Sequence, residues 1–136
     1  MKYTHKAFVR WDDLDAFGHV NNASYLIYMQ EAKGDLTWYS RERAGKKPIL
    51  YQMVVARAEV DFKNAIFQGG TYVDVVLWVE SIGNSSFTMI YEVKGEDVLY
   101  ARIRTVQVAV DESIAKSRPL NDEERNFLLQ YLEESK

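Results

Sequence analysis

The sequence lacks cysteine altogether, and none of its apolar runs approaches the roughly 18 residues that a membrane-spanning helix needs. Without cysteine the chain has no disulfide, no thiol nucleophile and no thiolate metal site, a composition that fits a reducing compartment. The N-terminal residues pass directly into a strand-like pattern and lack the apolar core of a signal peptide. We therefore expect a cytoplasmic protein without a membrane span.

An excess of positive charge is also missing. The 17 lysines and arginines are outnumbered by 20 aspartates and glutamates, and the net charge of -3 gives no electrostatic reason to expect a nucleic-acid partner. Apolar residues make up 47% of the chain and aromatic residues 13%, which argues against disorder. At this length we expect one domain, residues 1–136, that buries roughly two thirds of its unfolded surface.

The first third of the chain predicts a strand, a loop and a long helix. Apolar and polar residues alternate over residues 3–11, and a loop follows over residues 12–21. Over residues 22–39 apolar side chains at helical spacing cover most of the circumference, a pattern typical of a buried helix. A basic loop, residues 41–47, then separates this helix from the second half of the chain.

The second half predicts four strands and a short final helix. Alternating patterns occupy residues 54–62, 72–80, 85–93 and 98–110, with turn signals between them. The segment from Asn121 to Glu124 resembles a capping box, which predicts the start of the last helix. One apolar helix followed by a regular series of strands favours an α+β fold, in which an antiparallel sheet wraps around a long central helix.

The loop before the helix holds three carboxylates, Asp12, Asp13 and Asp15, followed by a glycine and an Asn-Asn pair that can cap the helix. One interpretation is a solvated turn. A second is a calcium loop, but Phe17 stands where an EF-hand needs its fifth-position oxygen ligand. A third is catalysis, because a carboxylate acts as a general base or nucleophile and helix N-terminal amides hold a developing oxyanion.

Residues 11–26, Trp-Asp-Asp-Leu-Asp-Ala-Phe-Gly-His-Val-Asn-Asn-Ala-Ser-Tyr-Leu, resemble the signature of hotdog-fold acyl-CoA thioesterases of the 4-hydroxybenzoyl-CoA thioesterase type. The same residues resemble the matching segment of the plant acyl-carrier-protein thioesterases. Residues 58–63, 82–87 and 118–120 resemble later segments of the family's sequences, so the resemblance covers nearly the whole chain. It implies a hotdog fold and a thioester hydrolase, and it favours the catalytic interpretation of the loop.

The resemblance also implies roles for single residues. The family's catalytic aspartate falls on Asp15, and the amide that polarises the thioester carbonyl falls on the backbone of Asn22. His19 matches a histidine with a catalytic role in the plant branch; here it either shares that role or orders the turn before the helix. The plant branch also uses an asparagine where this chain has Phe17, so the full plant constellation is absent.

Three further residues are candidates for substrate binding. Tyr25 is expected at the acyl group, although aromatic residues at helical spacing also form plain core. Arg57 and Lys63 are expected at the CoA phosphates, although each is by default an exposed strand residue. Glu31 matches an acid of the family helix and either positions water or pairs with a second subunit.

These observations predict an acyl-CoA thioesterase that releases free acid and CoA without a metal or cofactor. Two alternatives remain open. In the first, the substrate is an acyl group attached to an acyl-carrier protein, which approaches the basic loop. In the second, the chain binds acyl-CoA without hydrolysing it. In the family two subunits jointly build each site, and an open edge strand beside a partly uncovered helix predicts a homodimer or homotetramer.

Overall fold

The structure, a computed structural model, describes residues 1–134, in which an antiparallel sheet curls around a long helix. The strands are β1 (Tyr3–Val9), β2 (Met53–Phe62), β3 (Thr71–Ile82), β4 (Ser86–Gly95), β5 (Val98–Asp111) and β6 (Lys116–Ser117). The helices are α1 (Ser24–Gly34), α2 (Ser40–Arg43) and α3 (Asp122–Gln130), with a 3-10 turn at Trp11–Asp13 and a π-helical turn at Asp35–Tyr39. The strand order is β1-β3-β4-β5-β2, with β6 paired to β5, and the predicted α+β arrangement is confirmed.

The core lies between α1 and the concave face of the sheet. The helix contributes the buried side chains of Tyr25, Met29 and Ala32. The central strands contribute side chains that are at most 1% exposed, namely Val75, Leu77, Phe87, Met89, Tyr91 and Ile103. These residues recur every second position along their strands, as the alternation in the sequence predicts. No helix within residues 1–134 combines the length and the apolar character needed to cross a bilayer.

The helical segment is longer than predicted. The sequence predicts a helix that ends at Tyr39 and a basic loop from Arg41, but α1 continues through the π-helical turn into α2, which ends at Arg43. The Ser40 hydroxyl donates a hydrogen bond to the Leu36 carbonyl at 2.9 Å within this continuation. The added turn, Ser40–Arg43, is polar and contains no fully buried residue, so apolar periodicity gives no sign of it.

The helix that the sequence predicts to be buried is partly uncovered in the single chain, as expected for one sheet around one helix. Leu26 is 36% exposed and Ile27 is 49% exposed, because a single sheet covers only one side of the helix. The edge strand β2 pairs only with β5, and its Val54, Val55 and Phe62 are about half exposed. Apolar surface therefore remains both on α1 and along an open edge strand.

The predicted capping box is confirmed at the start of α3. The Asn121 side chain accepts from the Glu124 amide at 2.8 Å, and the Glu124 carboxylate accepts from the Asn121 amide at 3.0 Å. The Arg118 guanidinium donates to both oxygens of Glu124, at 2.8 and 3.0 Å. This arrangement ties the end of the chain to the sheet, since the Arg118 amide donates to the Ala109 carbonyl of β5.

The Glu124 pair makes stability depend on pH. Burial raises the pKa of Glu124, but the Arg118 guanidinium and the Asn121 amide lower it more, and the net pKa lies below its usual range. The corresponding stability is present above the unfolded-state pKa and is lost as the pH falls through the folded-state pKa. We expect Glu124→Gln to lower the free energy of unfolding at neutral pH by about 1–3 kcal/mol and to flatten its decline on acidification.

Urea unfolding of wild type and variant, at neutral pH and at about pH 4, measures both effects. The matched control is Glu123→Gln, because that side chain is 75% exposed and its nitrogen partner on Arg41 is 3.8 Å away. Equal acid sensitivity in wild type and Glu124→Gln would show that the pair does not set the pH dependence.

Candidate active site

The loop between β1 and α1 folds back on itself as a narrow hairpin. At its base, the Asn21 amide donates to the Asp13 carbonyl at 2.8 Å. Near its tip, the Asp15 amide donates to the His19 carbonyl at 3.0 Å, and the Gly18 amide donates to the Asp15 carbonyl at 3.0 Å. Gly18 has φ = 82°, a left-handed conformation that favours glycine. The hairpin therefore carries Asp15 at its turn and ends at the start of the helix.

The Asp15 carboxylate is half-buried at this turn. Its Oδ1 accepts a hydrogen bond from the Phe17 amide at 2.9 Å, which holds the side chain in a defined direction. This contact uses only one of the two carboxylate oxygens. An ionised carboxylate is an acceptor only, so the remaining oxygen suits a proton from water or an electrophilic carbon.

The amides at the start of α1 differ in their partners. Ala23, the residue before the helix, makes no side-chain cap. The Asn21 side chain accepts from the Ala23 amide at 2.8 Å, and the Asn21 carbonyl accepts from the Ser24 amide at 3.0 Å. Within residues 1–134, the Asn22 amide donates to none of the acceptors of this turn. It is a donor at the positive end of the helix dipole, where an anionic oxygen is favoured.

A cavity of about 200 Å³ opens beside this amide. Its lining consists of His19, Val20, Asn22, Tyr25, Phe62, Lys63, Asn64 and Ala65. Four of the six site residues predicted from the sequence thus come together around one space. Asp15 is placed at the adjoining turn and does not line the cavity, and Arg57 does not line it either.

His19 is half-buried at the wall of the cavity. Its Nδ1 lies 3.2 Å from the Val20 carbonyl. A carbonyl oxygen only accepts, so a hydrogen bond here needs Nδ1 as the donor. The ring also stacks on Phe17, with ring centroids 6.3 Å apart. Both predicted roles, catalysis and ordering of the turn, are compatible with this position.

Tyr25 forms the floor of the cavity. Its buried ring packs edge-on against Phe62, with ring centroids 5.4 Å apart. Burial raises the pKa of the Tyr25 hydroxyl, although the Ile66 amide lowers it, so the hydroxyl stays protonated at neutral pH. Tyr25 is therefore both a core residue and a cavity residue, and the two interpretations of its sequence position are not exclusive.

The two predicted phosphate contacts lie on different sides of the sheet. Lys63 follows the end of β2 and borders the cavity. Arg57 lies opposite Val106 of β5, whose neighbours Thr105 and Gln107 are buried beneath the helix, so Arg57 points to the outer face. There it forms an ion pair with Glu59 at 2.7 Å. Of these two residues, Lys63 is the one that borders the cavity at the helix start.

Sequence reasoning missed part of the cavity wall. Phe62, Asn64 and Ala65 belong to the end of β2 and the loop after it, and the Val20 amide joins this loop to the hairpin by donating to the Ile66 carbonyl at 2.8 Å. The sequence could have indicated Phe62, because this residue ends the alternating pattern of β2 on the side that faces the helix. No pattern in the sequence indicates that Asn64 and Ala65 line a cavity.

Glu31, another sequence candidate, lies apart from this cavity. Glu31 borders a separate cavity of about 380 Å³ between β1 and α1, together with Ile27 and Tyr28. For metal binding, the described part of the chain contains no group of three or more His, Cys, Asp or Glu side chains that could hold an ion.

A curled antiparallel sheet around one long helix is the architecture of the hotdog-fold thioesterases. A family model described as the thioesterase-like superfamily matches residues 9–128, and the chain belongs to this superfamily. The predicted family and the predicted hotdog fold are confirmed.

Known proteins resemble the chain over nearly its whole length. An uncharacterized protein of Bacillus subtilis (strain 168), YsmA, is 26% identical over 132 residues, which cover 93% of this chain and 85% of YsmA. A predicted thioesterase from Bacillus stearothermophilus shares the fold with a TM-score of 0.86, 24% identity and 100% coverage of both chains. A thioesterase from Thermus thermophilus, solved in complex with coenzyme A and Zn, is 30% identical with a TM-score of 0.76, covering 94% of this chain and 92% of its own.

Proposed function

We propose that this protein hydrolyses acyl-CoA thioesters to a free acid and CoA. The observation that carries the proposal is the Asn22 amide, a donor without an acceptor in the described chain, at the helix start that the Asp15 hairpin leads into. The complex of the 30% identical Thermus protein with coenzyme A supports CoA as the carrier.

Asp15 activates the attacking oxygen in the proposed reaction. As a general base, its carboxylate takes a proton from water while the water oxygen bonds to the acyl carbon. As a nucleophile, it bonds to that carbon itself and forms a mixed anhydride, which water then hydrolyses. In either route the carbonyl oxygen becomes an oxyanion that accepts from the Asn22 amide. The carbon–sulfur bond then breaks, and the thiolate leaves without needing a strong acid.

Lys63 contributes to binding of the CoA moiety rather than to the chemical step. We expect Lys63→Ala to raise KM for acyl-CoA by about 3–10-fold at low salt, with kcat nearly unchanged, because an exposed lysine gains only modest energy from a phosphate. Arg57→Ala is the matched control, since Arg57 points to the outer face and already pairs with Glu59. Steady-state thiol release at two salt concentrations measures the effect, and an equal rise of KM in both variants would contradict it.

A second copy of the chain completes the proposed assembly. The open edge of β2 and the exposed side of α1 together present Val54, Val55 and Leu26 to solvent. Antiparallel pairing of β2 with its own copy would satisfy the open edge and bring the two helices side by side. We propose a homodimer or a homotetramer built on this contact.

The acyl-carrier alternative is less well supported, because two arginines of the basic loop already bind acceptors within the chain. The Arg41 guanidinium donates to the Lys47 carbonyl, and the Arg43 guanidinium donates to the buried Asp35 carboxylate at 3.1 Å. Only Lys46 and Lys47 extend from this loop with exposed side chains and no such partner among residues 1–134.

A thiol-release screen tests the proposed function. The substrates are short, long, branched and aryl acyl-CoAs, each matched with the same acyl group on acyl-carrier protein. We expect turnover of at least one acyl-CoA class and slower turnover of its carrier-protein counterpart. Faster turnover of the carrier-protein form would favour the alternative. Binding of acyl-CoA with no release of thiol from any substrate would identify a non-catalytic binding protein.

A further inference from the structure

We propose that Asp13 is a positioning residue, whose buried carboxylate locks the hairpin that presents Asp15 to the start of α1. This inference rests on the proposed function. It assigns a role to a second carboxylate of the loop, one that the proposed chemistry does not use.

Asp13 and Asp12 are neighbours with opposite environments. Asp13 is 3% exposed, whereas the side chain of Asp12 is 79% exposed. A buried carboxylate destabilises the fold unless several donors compensate for its lost hydration. Asp13 has four such donors: the Tyr28 hydroxyl at 2.7 Å, the Arg10 amide at 2.9 Å, and two guanidinium nitrogens of Arg10 at 3.0 and 3.2 Å.

The hydrogen bond from Tyr28 to Asp13 needs a protonated hydroxyl and an ionised carboxylate. Burial raises the pKa of the Asp13 carboxyl, but Tyr28 and Arg10 lower it more, and the net pKa is below its usual value. Burial and the Asp13 carboxylate together raise the pKa of the Tyr28 hydroxyl well above its usual value. At neutral pH the tyrosine therefore stays a donor and the aspartate an acceptor.

These contacts join the end of β1, the hairpin and α1. Arg10 directly follows β1, Asp13 forms the base of the hairpin, and Tyr28 lies within α1. The Asp13 carbonyl also accepts from the Asn21 amide at 2.8 Å. Asp13 thus binds the helix start through its backbone and the helix body through its side chain. With both contacts in place, the hairpin is not free to tilt relative to the helix.

Tilting matters because Asp15 and the Asn22 amide act on the same acyl group. A misplacement of about 1 Å by a change outside the reacting groups lowers a rate by about 100-fold. Asp13 lines the separate cavity between β1 and α1 and not the cavity at the helix start, so its proposed role is to position Asp15 rather than to touch the acyl group.

Two variants separate this role from plain stability. Tyr28→Phe removes one hydroxyl from a buried ring, and Asp13→Asn removes the charge while keeping the size of the side chain. For both we expect kcat to fall by about 10–100-fold while KM changes by less than about 3-fold. We also expect faster amide hydrogen exchange over residues 13–21 with unchanged exchange in β4 and β5. The matched control, Asp12→Asn, should behave as wild type in every measurement.

The readouts keep this inference distinct from the proposed function. Wild-type kcat in Tyr28→Phe would overturn it, and so would a loss of kcat without faster exchange in the hairpin. A loss of kcat accompanied by faster exchange throughout β4 and β5 would assign Asp13 to general stability and would overturn it too. If Asp13→Asn does not fold, Tyr28→Phe alone decides. If Asp15→Asn keeps wild-type kcat, or wild type releases no thiol, the proposed function itself fails.

Discussion

Asp15→Asn is expected to lower kcat for thiol release by about 100- to 10,000-fold while leaving CoA binding nearly intact. The amide oxygen of asparagine still accepts from the Phe17 amide, so the turn keeps its shape. The amide neither takes a proton from water nor attacks an acyl carbon, so the chemical step loses its base or nucleophile. Steady-state thiol release gives kcat, and titration calorimetry with CoA gives the dissociation constant.

The neighbouring Asp12→Asn is the control for Asp15→Asn. Asp12 belongs to the same loop and loses the same charge, but its side chain is 79% exposed, and its nearest cation, on Arg10, is 4.0 Å away. It should therefore keep wild-type kcat. Turnover of Asp15→Asn at the wild-type rate would refute the assignment of Asp15, and an equal loss in both variants would point to the charge of the loop rather than to one residue.

Val55→Lys is expected to dissociate the proposed oligomer and to reduce activity with it. Val55 lies on the helix-facing side of the open edge strand, opposite the buried Gln107, and is 45% exposed in the single chain. The single chain tolerates lysine there because the ammonium reaches water. Pairing of two β2 strands would bury two such charges without partners, which costs several kcal/mol each. Sedimentation velocity should show wild type at a multiple of 15.8 kDa and the variant at 15.8 kDa.

Ile114→Lys is the control for Val55→Lys. Ile114 is 60% exposed in the turn that joins β5 to β6 and belongs to neither β2 nor α1, so a lysine there should change neither mass nor activity. A monomeric wild type would remove the proposed assembly. If Val55→Lys remains oligomeric, the contact between copies lies on another surface. A monomeric variant with full turnover would show that each chain holds a complete site.

The strands and the last helix are recognisable from the sequence because their signals are local. Side chains two apart share a face of a strand, so the buried residues of β5 are visible as an alternation. The cap of α3 needs only Asn121 and Glu124, which are three positions apart. The acidic loop and the Asn-Asn pair likewise occur in one continuous stretch, and a family resemblance is enough to single out Asp15.

Contacts between distant segments were decided only by the tertiary structure. The sequence does not distinguish Asp12 from Asp13, whereas in the fold Asp13 is buried against Arg10 and against Tyr28, which lies 15 positions later in the chain. Arg57 and Lys63 are equivalent candidates in the sequence, but the register of β2 against β5 turns Arg57 to the outer face and leaves Lys63 beside the helix start. A register is a property of two paired strands, and a shift by one residue would reverse which side chains face the helix.

The sequence by itself predicted the family and the fold, both of which are confirmed, and it singled out Asp15 as the candidate for the chemistry, because each of these predictions depends on a continuous stretch of residues. The tertiary structure decided which neighbouring side chains share a space. It placed Phe62 against Tyr25, left the Asn22 amide without an acceptor among residues 1–134, and buried Asp13 between a strand end and a helix. These arrangements follow from how loops pack on one another, and no single segment of the chain specifies that packing.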